Sequence, residues 1–143
     1  MTITQDDRLL ILQDVSKAWL DLLKATRQLS DEQLLAPGTV GEWSVKDVMG
    51  HVSFWEQHLI DNIFALDAGN EPEAIEDFEA ANLEAAAEAE ILTLDEIREQ
   101  FIDTHEELML LLERTSSLSR DLIGEVTYGH YTEHAADIRA AKK

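Results

Sequence analysis

The chain has 143 residues and a formal net charge of −19, with 45% hydrophobic and 29% charged residues and no cysteine. The length suits one domain spanning residues 1–143, able to bury a core without covalent staples, and the balance of apolar and charged residues is that of a folded chain. The charge excludes unaided binding to nucleic acid or to an anionic membrane surface, and the missing cysteines exclude disulfides and thiolate metal sites, leaving histidine and carboxylates as transition-metal ligands.

No segment reaches the ~20 apolar residues of a membrane span. The first residues, MTITQDDRLL, lack a basic stretch followed by an apolar run, so no signal peptide is expected and a cytoplasmic location is predicted. Two prolines and abundant Ala, Leu and Glu point to helices throughout. The first is predicted over Gln5–Leu29, with Leu9, Leu12, Val15, Ser16, Trp19, Leu22 and Leu23 forming one apolar stripe. Ser30-Asp31-Glu32-Gln33 has the form of a capping box and opens a short turn closed by Pro37-Gly38.

A second long helix is predicted to start at Ser44. Serine is a good N-cap, Asp47 complements the helix dipole, and Trp43 can pack back on Val48. This helix runs through His51, Trp55, Leu59 and Phe64 and stops before Gly69-Asn70. Residues 71–92 form an acidic, alanine-rich crossover, expected to carry an exposed helix from Ile75 to Ala89 with a solvated face. Thr93-Leu94-Asp95-Glu96 is a second capping box, opening a third long helix to Arg114 with Ile97, Phe101, Leu108, Leu111 and Leu112 inside. After a TSSLS turn, the fourth helix is predicted over Arg120–Ala140. The predicted fold is therefore all-α: a four-helix bundle with a long crossover between helices 2 and 3.

Five histidines are candidates for chemistry: His51, His58, His105, His130 and His134. In His130-Tyr131-Thr132-Glu133-His134 the two histidines sit at i and i+4, about 40° apart around a helix, so both imidazoles can reach one ion. The spacing is common by chance, and the plain alternative is two half-exposed histidines on a C-terminal helix. A third ligand must come from another helix. His51 lies one turn after Asp47 on an apolar face, and His58 falls two turns further on nearly the same face; spacing does not choose between them. A lone histidine in such a place is more often a core residue. His105, within Asp-Thr-His-Glu-Glu, is expected to be solvated. Trp43 and Trp55 either line a pocket or pack the core, the second being the commoner use of aromatics at helical spacing.

Two segments carry a resemblance. Gly41-Glu42-Trp43-Ser44-Val45-Lys46-Asp47-Val48-Met49-Gly50-His51 resembles the second-helix signature of the DinB-like superfamily, and Tyr128-Gly129-His130-Tyr131-Thr132-Glu133-His134-Ala135-Ala136-Asp137-Ile138 resembles its fourth-helix signature. Within the superfamily the chain is most like the DfsB-like branch, which includes the colibactin self-protection protein. The resemblance implies a divalent metal, nickel or zinc, held by His51, His130 and His134. It also implies relatives that move low-molecular-weight thiols onto electrophiles or isomerise substrates with a thiol cofactor.

Three protein ligands leave coordination positions for water or substrate. Ligating histidines usually donate their second N–H to a carboxylate or carbonyl, and Asp47 and Asp137 are candidates for that role. Glu133, flanked by two ligands, is a candidate either for supporting a ligating histidine or for carrying protons. For each carboxylate a helix-dipole or surface role is an equal alternative.

The expected function is a metal-dependent hydrolase or thiol transferase acting on a small electrophilic substrate. The alternatives are a non-catalytic small-molecule binding or self-protection protein and a structural dimer. A homodimer is expected in each case, because Ile3, Ile11 and Leu20 fall off the main apolar stripe.

Overall fold

A computed structural model describes residues 3–141, and those residues form helices and connecting turns. Helix α1 covers Gln5–Arg27, opened by Thr4, whose hydroxyl accepts from the Asp7 amide. Its buried face is Ile11, Val15, Trp19, Leu22, Ala25 and Thr26. The expected stripe is thus rotated: Ile11 belongs to the core, while Leu9 is exposed and Leu12 and Leu23 are half-buried. Two overlapping three-and-four patterns run along this helix, and packing against the last helix selects the one through Ile11.

Helix α2, Asp31–Leu35, starts at Ser30 with both hydrogen bonds of the capping box formed. The chain then reverses through Gly38 and Gly41, both at positive φ, with Val40 and Trp43 exchanging backbone hydrogen bonds. Helix α3, Val45–Asp67, is capped by Ser44, again with a complete box: the Ser44 hydroxyl accepts from the Asp47 amide, and the Asp47 carboxylate accepts from the Ser44 amide. It ends at Gly69, whose φ of 81° suits the residue after a helix C-terminus. Phe64, near its end, is exposed.

The segment leading to the next long helix carries α4, Phe78–Ile91. It starts later than predicted because the Asp77 side chain accepts from the Ala80 amide and so sets the N-terminus. Nor is α4 simply solvated. Ala81, Ala85 and Ala89, spaced by four, are buried where α4 packs on α3. The contact is close because Gly50 has no side chain; a Cβ there would fall 2.7 Å from Ala89 Cβ. Helix α5, Leu94–Leu112, starts at the Thr93 capping box and buries Ile97, Phe101, His105, Leu108, Leu111 and Leu112.

The predicted fourth helix is broken in two. Helix α6 is only Arg120–Ile123, and α7 is Tyr128–Ala141. Between them the Thr127 hydroxyl accompanies its own amide to the Ile123 carbonyl. The Gly129 amide reaches back five residues to the Gly124 carbonyl at 2.9 Å. Such a wide turn interrupts the helical ladder. It also needs glycine at 124, where a Cβ would sit 2.8 Å from both the Arg120 carbonyl and the Tyr128 hydroxyl.

The helices α1 and α7 pack together, α5 and α4 pack on α3, and α3 also meets α7. Polar ties fix the ends. Arg139 pairs with the Asp21 carboxylate at 2.9 and 2.6 Å, which holds the Asp21 carboxyl below its usual pKa. The Arg8 guanidinium donates to the Leu112 and Thr115 carbonyls at the end of α5. Among the described residues no helix is long and apolar enough to cross a membrane.

Candidate metal centre

Where α3 passes α7, three imidazoles meet. His51 comes from the second turn of α3, and His130 and His134 come from the first two turns of α7. The fully formed cap at Ser44 fixes where α3 begins, and the wide turn at Gly124–Gly129 fixes where α7 begins. Each ligand is therefore placed by a helix start rather than by a long, bendable connection.

His130 Nε2 lies 2.9 Å from His51 Nε2 and 2.8 Å from His134 Nε2. One nitrogen of each ring falls within 4.8 Å of the others. An ion bound at roughly 2.0–2.1 Å by two nitrogens would hold them about 2.9 Å apart at right angles and about 3.3 Å apart at tetrahedral angles, so the two short edges sit at the close end of that range. The three Nδ1 atoms are buried with no protein hydrogen-bond partner. The Nε2 atoms thus face one another, and an ion bound among them would leave the N–H of each ring on Nδ1. The donor set fits a divalent ion.

The electrostatics agree. Burial pushes the His51 pKa down to about 4 and that of His130 to about 3, with the neighbouring imidazoles adding to the effect. Burial also lowers His134, against the opposing pull of Glu133 and Asp137. All three rings are held neutral at ordinary pH, as metal ligation needs.

The carboxylates singled out in the sequence are placed unequally. Asp137 Oδ2 stands 3.7 Å from His134 Nδ1, near but beyond hydrogen-bond distance. Glu133 is exposed. The Asp47 carboxylate is engaged with the Ser44 amide as part of the cap. His58 lies apart from the triad, in hydrogen-bond contact with Asn62 and edge-on to Trp55.

Beside the triad a cavity of about 250 Å³ is lined by His51, Trp55, Phe78, Asn82, Val126 and His130, together with Glu125. Trp55 is buried, and its indole N–H donates to Asn82 Oδ1 at 2.9 Å. Trp55 therefore does both things the sequence allowed, packing and lining. Trp43 is half-buried with its ring 4.9 Å from that of His51. Helix α4 reaches this site through Phe78 and Asn82, which the sequence did not suggest.

A second buried cluster was also not anticipated. His105, expected in solvent, is 5% exposed. Its ring stacks on Trp19 with centroids 3.8 Å apart, and its Nδ1 lies 2.8 Å from Glu56 Oε2. The Tyr131 hydroxyl donates to the same Glu56 oxygen at 2.6 Å. Glu56 and Tyr131 are fully buried. Burial and the Glu56 carboxylate push the Tyr131 phenol well above its ordinary pKa. A signal was present: His105 lies four residues after Phe101 and three before Leu108, on the core stripe, and Glu56 lies four after Val52 and three before Leu59.

With this geometry established, comparison with known proteins gives one family match, the DinB superfamily, over residues 15–137. No curated protein and no solved structure matches.

Proposed function

The chain belongs to the DinB superfamily, and on that premise we propose that it holds a divalent metal, nickel or zinc, on His51, His130 and His134 and uses it to deliver a thiol or water to a small electrophile. The observation that carries the reading is the convergence of three neutral imidazoles, His51 and His134 buried and His130 half-buried, with the Nε2 of His130 2.8 and 2.9 Å from those of its two neighbours. A divalent ion there would supply Lewis acidity, lowering the pKa of a water or thiol and polarising a carbonyl. The chain itself contributes a neutral ligand set and an adjoining cavity walled by Trp55, Phe78 and Val126. Asn82 presents its amide at that wall. Glu133 is the proposed proton carrier, Asp137, 3.7 Å from His134 Nδ1, is the group that orients that ring, and Asp47 acts through the cap that sets the position of His51. The thiol chemistry and the placement in the DfsB-like branch rest on the two motif segments around His51 and His130.

Metal analysis of untagged protein alongside His51→Ala and His130→Ala tests the first half. The expected result is one ion per chain in the parent and loss in both variants, with helicity retained. A parent that takes up neither nickel nor zinc overturns the proposal. Turnover of an electrophile panel, with and without added thiol and with and without chelator, tests the second half. Stoichiometric binding with no product would identify a sequestering protein instead.

A further inference from the structure

The helices fall into two groups. Helix α7 packs along α1, while α4 and α5 pack on α3. The triad spans the seam between the groups, with His51 on α3 and His130 and His134 on α7. Among the described residues only two side-chain hydrogen-bond contacts join α3 to α7. One is the pair of facing nitrogens of His51 and His130, 2.9 Å apart. The other is made by Tyr131, whose hydroxyl donates to Glu56 Oε2 at 2.6 Å. Tyr131 comes from between the two ligands of α7. Glu56 lies on α3 beyond His51, roughly 7.5 Å further along the axis at helical rise.

One point of attachment leaves a helix free to roll and slide on its neighbour. A second, at another level and another angle around both helices, restrains both motions. The margin is narrow. A roll of about 10° carries a nitrogen at roughly 6 Å from the helix axis through about 1 Å, whereas ligand distances hold within about 0.2 Å.

The chemistry of the tie points the same way. Glu56 and Tyr131 are fully buried, and Glu56 Oε1 has no protein hydrogen-bond partner. Removing one member of such a cluster is costly, yet exchanging all of it for apolar side chains is often neutral or stabilising. Stability alone therefore does not call for a carboxylate and a phenol here. Registry between elements is the best-attested use of buried polar groups. His105 steadies the tie from α5, its Nδ1 lying 2.8 Å from Glu56 Oε2 and 3.2 Å from the Tyr131 hydroxyl. Building on the metal reading above, we propose that Tyr131, held by Glu56, is a positioning residue of the metal centre: it sets the roll and level of α7 at which His130 and His134 meet His51.

Nickel titration in competition with a chelator, together with the visible absorption of cobalt-loaded protein, tests this on Tyr131→Phe, which removes one oxygen and keeps the ring. The expected result is nickel affinity lower by at least about tenfold, the lower edge for groups that orient metal ligands, and cobalt bands shifted from those of the parent. Leu108→Ala, a buried change on α5, is the comparison. It should lower the urea midpoint at least as far while nickel affinity and cobalt bands stay as in the parent. Parent-like affinity and bands in Tyr131→Phe would overturn the positioning role and leave the metal reading standing. Equal weakening by Leu108→Ala would also overturn that role, tracing the loss to general softening of the core. A parent that takes up no divalent ion would overturn the metal reading itself, and this inference with it.

Discussion

Two groups of buried histidine lie within one small protein and are built on opposite plans. In the triad, His51 and His134 are 7% and 8% exposed, and nitrogen faces nitrogen with no carboxylate in hydrogen-bond contact. In the other group, His105 is as deeply buried, yet its imidazole meets the Glu56 carboxylate, the Tyr131 hydroxyl lies alongside, and the ring rests on Trp19. Depth does not separate them; partners do. An imidazole with a complementary acceptor has its polar needs met by the fold. Three imidazoles directed at one another leave nitrogens that an added cation can take. The first plan stabilises a core, and the second reserves a place.

That contrast predicts unequal responses to mutation. The largest is expected at Glu56. Glu56→Ala strands His105 and Tyr131 in the core and should cost about 3–5 kcal/mol, read as a fall in the urea midpoint. His51→Leu in the metal-free protein should leave the midpoint equal or higher, because it removes a buried polar group that the fold does not satisfy. Equal losses in these two variants would erase the distinction between the clusters. Next is the metal itself. Added nickel or zinc at a hundred times its dissociation constant should stabilise the parent by about 2.7 kcal/mol, and His130→Ala, which removes the nitrogen common to both short contacts, should abolish that gain.

A smaller effect follows from protons. The folded pKa values of His51 and His130, about 4 and about 3, lie below the ordinary 6.5. The unfolded chain therefore binds more protons below that pH. The contribution to stability is complete above 6.5 and is lost as pH falls through those folded values. In metal-free protein the urea midpoint should drop as pH is lowered from 6.5 towards about 4, and His51→Leu should flatten part of that fall. The least effect is expected from Asp137→Asn. Asp137 stands 3.7 Å from His134 Nδ1 with its side chain 46% exposed, so metal affinity should change by less than about tenfold, the lower edge for groups supporting a ligating histidine.

Much of this architecture was legible in the sequence because helix starts are local. The capping boxes at Ser30 and Thr93 depend on residues three apart, and both form as read; at Ser44 the N-cap was legible, and the Asp47 side chain completes a box there. The ligand choice between His51 and His58 was not local. It depends on which turn of α3 faces α7, and periodicity alone leaves two turns of one face equivalent. The break in the last helix was illegible for a related reason: the five-residue return from Gly129 to Gly124 and the crowding at Gly124 arise only once Tyr128 folds back over that glycine. His105 was misjudged because its charged neighbours outweighed its core position, and Glu56 was not singled out at all. Each makes the other's burial tolerable, and neither discloses that singly.

The missing side chain at Gly50 has a mechanical consequence. With Ala89 already where a Cβ would have to go, α3 and α4 touch nearly backbone to backbone just before His51 in the chain. At its other end α4 holds Asn82 and Phe78 against the cavity beside the triad. The two helices therefore have little room to slide, and a tilt of α4 would be felt at the triad nitrogens and at the cavity wall together. The shape of the cavity and the spacing of the three imidazoles are geared to one contact made of a glycine and an alanine.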